Sequence, residues 1–238
     1  MRFRAGGLEL VAKLVGHAVD YLLGGPTVGG ANEVRLRRWL ALPGPQLALP
    51  HAHARYVVVA TEATGSGSRR DRPRAIGAAG VARLYLDLAD CFAAELRQRR
   101  TVTEADLPLR GRGGQAPVAD GEPALGMLDF LEYLGRVPLV AFEIEPTRRD
   151  VERAVKSALG VPFRHPWIDL AALLSTLYPE EPGTTLRAWL ERFGLAAGAW
   201  HDPLGNAFAT AQLLQIALVA ADRTGLTSAA HLMARRSA

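Results

Sequence analysis

The run Arg55-Tyr56-Val57-Val58-Val59-Ala60 constrains the fold more than any other part of this chain. Three consecutive valines between a tyrosine and an alanine are apolar on both sides and stiff at χ1. They suit a central strand covered on both faces. Ala75–Leu84 and Asp90–Gln98 read as two further strands, so the domain opens with an antiparallel meander. After a Gly- and Arg-rich stretch over 99–121, the pattern changes to a helix over Pro123–Leu134 and a strand over Pro138–Phe142. A helix follows over Thr147–Leu159, where Thr147 with Asp150 has the spacing of a capping box. Trp167–Leu170 is a short strand running into a helix that ends near Leu177, and Thr185–Phe193 and Asn206–Arg223 are the last helices. Strands first, then helices alternating with strands, imply an α/β domain with a mixed sheet flanked by helices.

The segment before this domain differs in kind. Apolar residues at Leu8, Val11, Leu14, Val15, Ala18 and Leu22 predict an amphipathic helix, stopped by Gly24-Gly25-Pro26. Residues 32–42 predict a second helix, whose Arg35, Arg37 and Arg38 read as a solvated basic face, and Pro43, Pro45 and Pro50 stiffen the connection onward. The chain thus divides into a helical N-terminal extension, residues 1–50, and a main domain, residues 51–238. The extension reads either as packed on the main domain or as an arm for self-association or a protein partner.

Charge narrows the function classes. A net charge of +4 and a pI near 9.6 come mostly from arginine, whose planar fork pairs well with phosphate. One cysteine, Cys91, excludes an intrachain disulfide; it fits a reducing cytoplasm and reads as a small buried apolar residue. No unbroken run of 18 apolar residues predicts a membrane span, and Glu9, Lys13, His17 and Asp20 interrupt any signal-peptide core. The expected location is cytoplasmic.

Three separated segments carry the chemistry. The first strand continues as Ala60-Thr61-Glu62-Ala63-Thr64-Gly65; Leu139–Phe142 leads to Pro146-Thr147; and His201-Asp202-Pro203-Leu204-Gly205-Asn206 opens the long final helix. In this order they resemble the motifs of the DEDDh-type 3'-5' exonucleases, the family of proofreading polymerase subunits and ribonuclease T. The resemblance runs over residues 55–223 and implies a ribonuclease H-like fold. In that family a strand ends in Asp-x-Glu before Thr-Gly, an Asp opens a helix after the next motif strand, and a His precedes an Asp by five residues.

The resemblance also fixes what is missing. The family's four carboxylates hold two divalent metals roughly 3.5–4 Å apart, one activating water and one stabilising the leaving oxygen. The matching positions are Ala60, Glu62, Thr147 and Asn206, and only Glu62 is anionic. Magnesium or manganese would be held weakly at best by Glu62, so no tightly bound cofactor is expected. His201 matches the general base, but a base without a metal-bound water has little to deprotonate. Glu143, Glu145, Asp150 and Asp202 are the acids near enough in sequence to substitute. By resemblance, Thr61, Thr64 and Gly65 would touch a nucleotide and Trp200 would stack on a base. The arginines between Arg97 and Arg112 are phosphate-binding candidates. Asp169 and Asp202 read as helix starters, Trp39, Trp167 and Trp189 as core, and His51 with His53 lacks the third ligand a metal site needs.

Three functions follow. The first is an impaired exonuclease-like protein that keeps a cleft for single-stranded nucleic acid or a nucleotide. The others are an active exonuclease with a rearranged site, and a scaffold without a nucleic-acid role.

Overall fold

A computed structural model of the protein describes residues 28, 30–63, 73–96, 123–180, 185–196 and 202–234. Five strands, β1 (Arg55–Ala63), β2 (Pro73–Ala82), β3 (Tyr85–Glu95), β4 (Leu139–Ala141) and β5 (Trp167–Asp169), form one sheet in the order β3-β2-β1-β4-β5. β1 pairs antiparallel with β2 and parallel with β4; β2–β3 is antiparallel and β4–β5 parallel. The described helices are α1 (Ala31–Leu40), α2 (Pro123–Leu134), α3 (Ile144–Leu159), α4 (Leu170–Leu177), α5 (Leu186–Arg192), α6 (Pro203–Arg223) and α7 (Ala229–Ala234). This is the mixed, helix-flanked sheet that the sequence pattern implied.

The valine run is buried on both faces because successive side chains alternate. Val57 and Val59 join a core with α1, α2 and α3, including Leu36, Trp39, Phe130, Leu131 and Val155. Tyr56 and Val58 face the opposite core, formed with α4 to α7 and centred on Trp189, Leu213, Leu214 and Leu218. Burying each such side chain stabilises the fold by about 1.5–3 kcal/mol.

Several expectations are corrected. β2 stops at Ala82, because Arg83 and Leu84 turn the chain with φ of 55° and 65°, and β3 therefore starts at Tyr85. Two residues at positive φ form the tight hairpin that usually takes Asn-Gly, so the turn carries no glycine signal. α3 starts at Ile144 with Glu143 at its N-cap, which places Thr147 inside the first turn and rules out the Thr147–Asp150 capping box. Arg35 is not a solvated charge: it pairs with Asp129 and Glu132 of α2 at 2.6 Å each. Cys91 is half-buried on the sheet's edge strand, and burial, with Asp90 and Asp87 beside it, raises its thiol pKa. α6, at 21 residues, is long and apolar enough to cross a membrane, contrary to the first reading of the sequence. Its apolar residues, from Ala207 to Ala221, instead lie in the core against the sheet.

Other readings hold. Trp39, Trp167 and Trp189 are buried, and Asp169 caps α4 by accepting from the Ala172 N–H at 3.0 Å. His51 is buried between the Tyr56 hydroxyl and the Leu226 carbonyl, while His53 is exposed. The predicted helix over 8–23 and the Arg97–Arg112 segment lie outside the described residues.

Candidate nucleic-acid site

The carboxyl ends of β1 and β4 lie side by side, since Val57 and Val58 pair in parallel with Leu139 and Val140. In open α/β sheets this is the end where ligands bind. Alternation sets the facing of each motif residue on β1. Ala60 packs with the α6-side core, and unbroken register to Glu62 puts the Glu62 side chain on that same face. The register shifts between Glu62 and Ala63, an irregularity of the kind that ends pairing beside functional sites.

The third motif reaches this face through a backbone contact. Ala60 pairs with Gly77 on β2, and a Cβ at Gly77 would collide with the backbone of Pro203 and Leu204. Only glycine lets the first turn of α6 sit this close, and that turn carries Asn206. Asp202 caps the helix, its Oδ1 accepting from the Leu204 N–H at 3.0 Å, with Pro203 in the first helical position, where no N–H is needed. Asp202 is thus the helix-starting acid its position predicted.

The second motif arrives from the other face. Thr61 points away from Ala60 and donates its hydroxyl to Asp150 Oδ2 of α3 at 3.1 Å. Thr147 lies three residues before Asp150, so it shares that side of α3 and is half-buried. Thr61 is therefore a tie between β1 and α3 rather than a residue facing the Glu62 side. Of the acids that might substitute, Glu145 pairs with Arg148 at 2.8 Å, and Glu143 is exposed at the N-cap of α3. Asp150 and Asp202 hold the bonds just described.

Ala60, Glu62 and the first turn of α6, which carries Asn206, therefore share one face of the sheet, whereas Thr147 lies on α3 against the other. His201, Trp200, Thr64 and Gly65 lie outside the described residues. The side chains at the four matching positions offer one carboxylate, one amide and one hydroxyl. Among the described residues no three His, Cys, Asp or Glu side chains converge as metal ligands. This donor set does not fit a pair of divalent cations, which need an anionic oxygen cage. Sequence reasoning passed over Gly77 and the Thr61–Asp150 bond. A glycine inside the apolar strand pattern was a usable signal for the first; nothing local signalled the second.

No protein-family model matches this sequence, and no curated protein sequence matches it at a significant level. Solved structures do resemble it. Cell-death related nuclease 4 superposes with a TM-score of 0.55 at 13% identity, over 74% of this chain and 67% of that one. A full-length 3'-exonuclease gives 0.50 at 16% identity, over 74% and 84%. Exonuclease I of E. coli, solved with a dT13 oligonucleotide, gives 0.51 at 10% identity, over 73% of this chain and 43% of its own length. At such identities the likeness shows the fold: a ribonuclease H-like sheet of the exonuclease type.

Proposed function

From this exonuclease-type fold, we propose that the protein is a catalytically impaired 3'-5' exonuclease homologue that binds single-stranded nucleic acid or a nucleotide at the carboxyl ends of β1 and β4. The observation that carries the reading is the donor set: Glu62 is the one anion among the four positions that resemble the family's metal ligands. One charge cannot offset two doubly charged cations, so no metal-bound hydroxide forms for His201 to assist. The net charge of +4 supports retained affinity for a polyanion, and the solved relatives include one described as recognising the 3'-end of a histone mRNA stem-loop.

The test lies in the sign of one substitution. Without metals, Glu62 repels a phosphate in the cleft, and Glu62→Gln strengthens binding of a labelled single strand by roughly two- to tenfold at low ionic strength. In an active metal enzyme the same change weakens metal-dependent binding and stops digestion. Release of nucleotides in manganese, lost on Glu62→Gln, overturns the proposal.

A further inference from the structure

At the opposite pole of the sheet, where β1 and β4 begin, the described residues line an open cleft of about 390 Å³. Its walls come from the connector after α1 (Leu42, Gly44), from the start of β1 (Ala54), from the segment entering β4 (Arg136, Val137), and from α7 (Ala229). The lining is mainly apolar, with Gln46, His53 and two arginines as its polar groups. That is the make-up of a small-molecule site: an apolar body with a few placed polar contacts, at the small end of the usual size range.

The two arginines differ. Arg55 is fully engaged: its Nε and Nη2 donate to Asp90 at 2.9 and 2.7 Å, and its Nη1 donates to the Tyr133 carbonyl at 3.3 Å. Arg136 has no carboxylate partner among the described residues. Its guanidinium lies 4.2 Å from the centre of the Trp39 ring, and its Nη2 donates to the Leu40 carbonyl at 3.1 Å. Its Nε is buried without a hydrogen-bond partner. Stacking on Trp39 holds the planar fork in place, so little side-chain freedom remains to be lost on binding. Among the described residues no carboxylate compensates Arg136, whereas Arg55 on the same wall is paired with Asp90.

We propose that this cleft binds a small organic carboxylate with an apolar body, its carboxylate on Arg136 and its body against Leu42, Ala54 and Val137. The charge selects an anion, and the apolar lining selects against inorganic phosphate and against a hydrated polyanion. The site is remote from the carboxyl ends of β1 and β4 and does not depend on any activity there.

Phenylacetate and phenylacetamide, which share a body and differ in charge, are the probes. Ligand-observed NMR saturation transfer on the full chain reads binding directly. Phenylacetate is expected to bind at least about tenfold more tightly than the amide, the difference a charge-assisted hydrogen bond supplies. Arg136→Gln abolishes that preference. Gly44→Leu, where the added Cβ meets no atom within 4 Å, leaves the fold intact and adds apolar bulk at the cleft's rim, so it changes the affinity of both probes together and keeps the preference for the acid. Equal binding of acid and amide, a preference surviving Arg136→Gln, or no binding of either overturns the proposal. So does binding of only an apolar–acidic peptide, which would assign the cleft to a protein partner.

Discussion

His51 shows how a single side chain can make the fold sensitive to acid. Its Nε2 lies 2.8 Å from the Leu226 carbonyl, which can only accept, so the proton sits on Nε2 and Nδ1 accepts from the Tyr56 hydroxyl at 2.6 Å. The neutral ring therefore satisfies every polar atom in a fully buried pocket. Burial lowers its pKa from the ordinary 6.5, outweighing the Leu226 carbonyl and nearby Asp222, while His231 acts with burial. With the folded pKa depressed, the unfolded chain binds the proton first as pH falls. The contribution of His51 to stability is then constant above its ordinary pKa of 6.5 and declines as the pH drops below that value. His165, half-buried near Arg136 with its Nε2 on the Val137 carbonyl, shifts in the same direction. Thermal melts across this range should show the decline, and His51→Gln should flatten part of it while lowering the melting temperature at neutral pH. An unchanged slope in that variant would assign the acid sensitivity elsewhere. None of this was legible in the sequence, where His51 and His53 differ only in context. Pro50 and the three-residue turn that follows bury the first and expose the second.

Among the elements, the valine run, α2, α6 and the short β4 and β5 were readable because their periodicity is unmixed. The start of α3 was not. Pro146 disfavours helix for the residue before it, so the pattern reads as starting after the proline. Here Pro146 occupies the third helical position, among the N–H groups that lack an intrahelical partner in any case, and the helix begins before it. α1 raises a separate question of what docks it on α2. The Arg35 bridges to Asp129 and Glu132 are short, but those carboxylates are half-exposed, and such pairs contribute about 0–1 kcal/mol. Trp39 is buried; it donates its indole N–H to the Gly135 carbonyl at 2.9 Å and stacks near Phe163, His165 and Arg136. Trp39→Ala should therefore cost about 3–5 kcal/mol in denaturant unfolding. Arg35→Ala should cost about 1 kcal/mol or less. The reverse order would mean that the helix is held by charge.

At the scale of the molecule, the sequence supplied the order of the motif segments, and folding sets the first and third against one face of the sheet and the second against the other. Gly77 admits the start of α6 next to Ala60, and Asp150 ties α3 to the residue after Ala60. If these contacts preserve a metal-site geometry from which only the charges are gone, restoring the charges should restore metal affinity. The variant carrying Ala60→Asp, Thr147→Asp and Asn206→Asp places four carboxylates, with Glu62, at one end of the sheet. Without metal, like charges in a half-buried site repel, so the variant should melt below the parent protein in chelator. Manganese that binds only the folded state then returns stability, by about 2.7 kcal/mol at a hundredfold excess over its dissociation constant. The parent, with one carboxylate, should melt at the same temperature with or without manganese. A parent that gains as much as the variant would mean that two cations are held by donors other than these four positions, and the assignment of an impaired enzyme would fall.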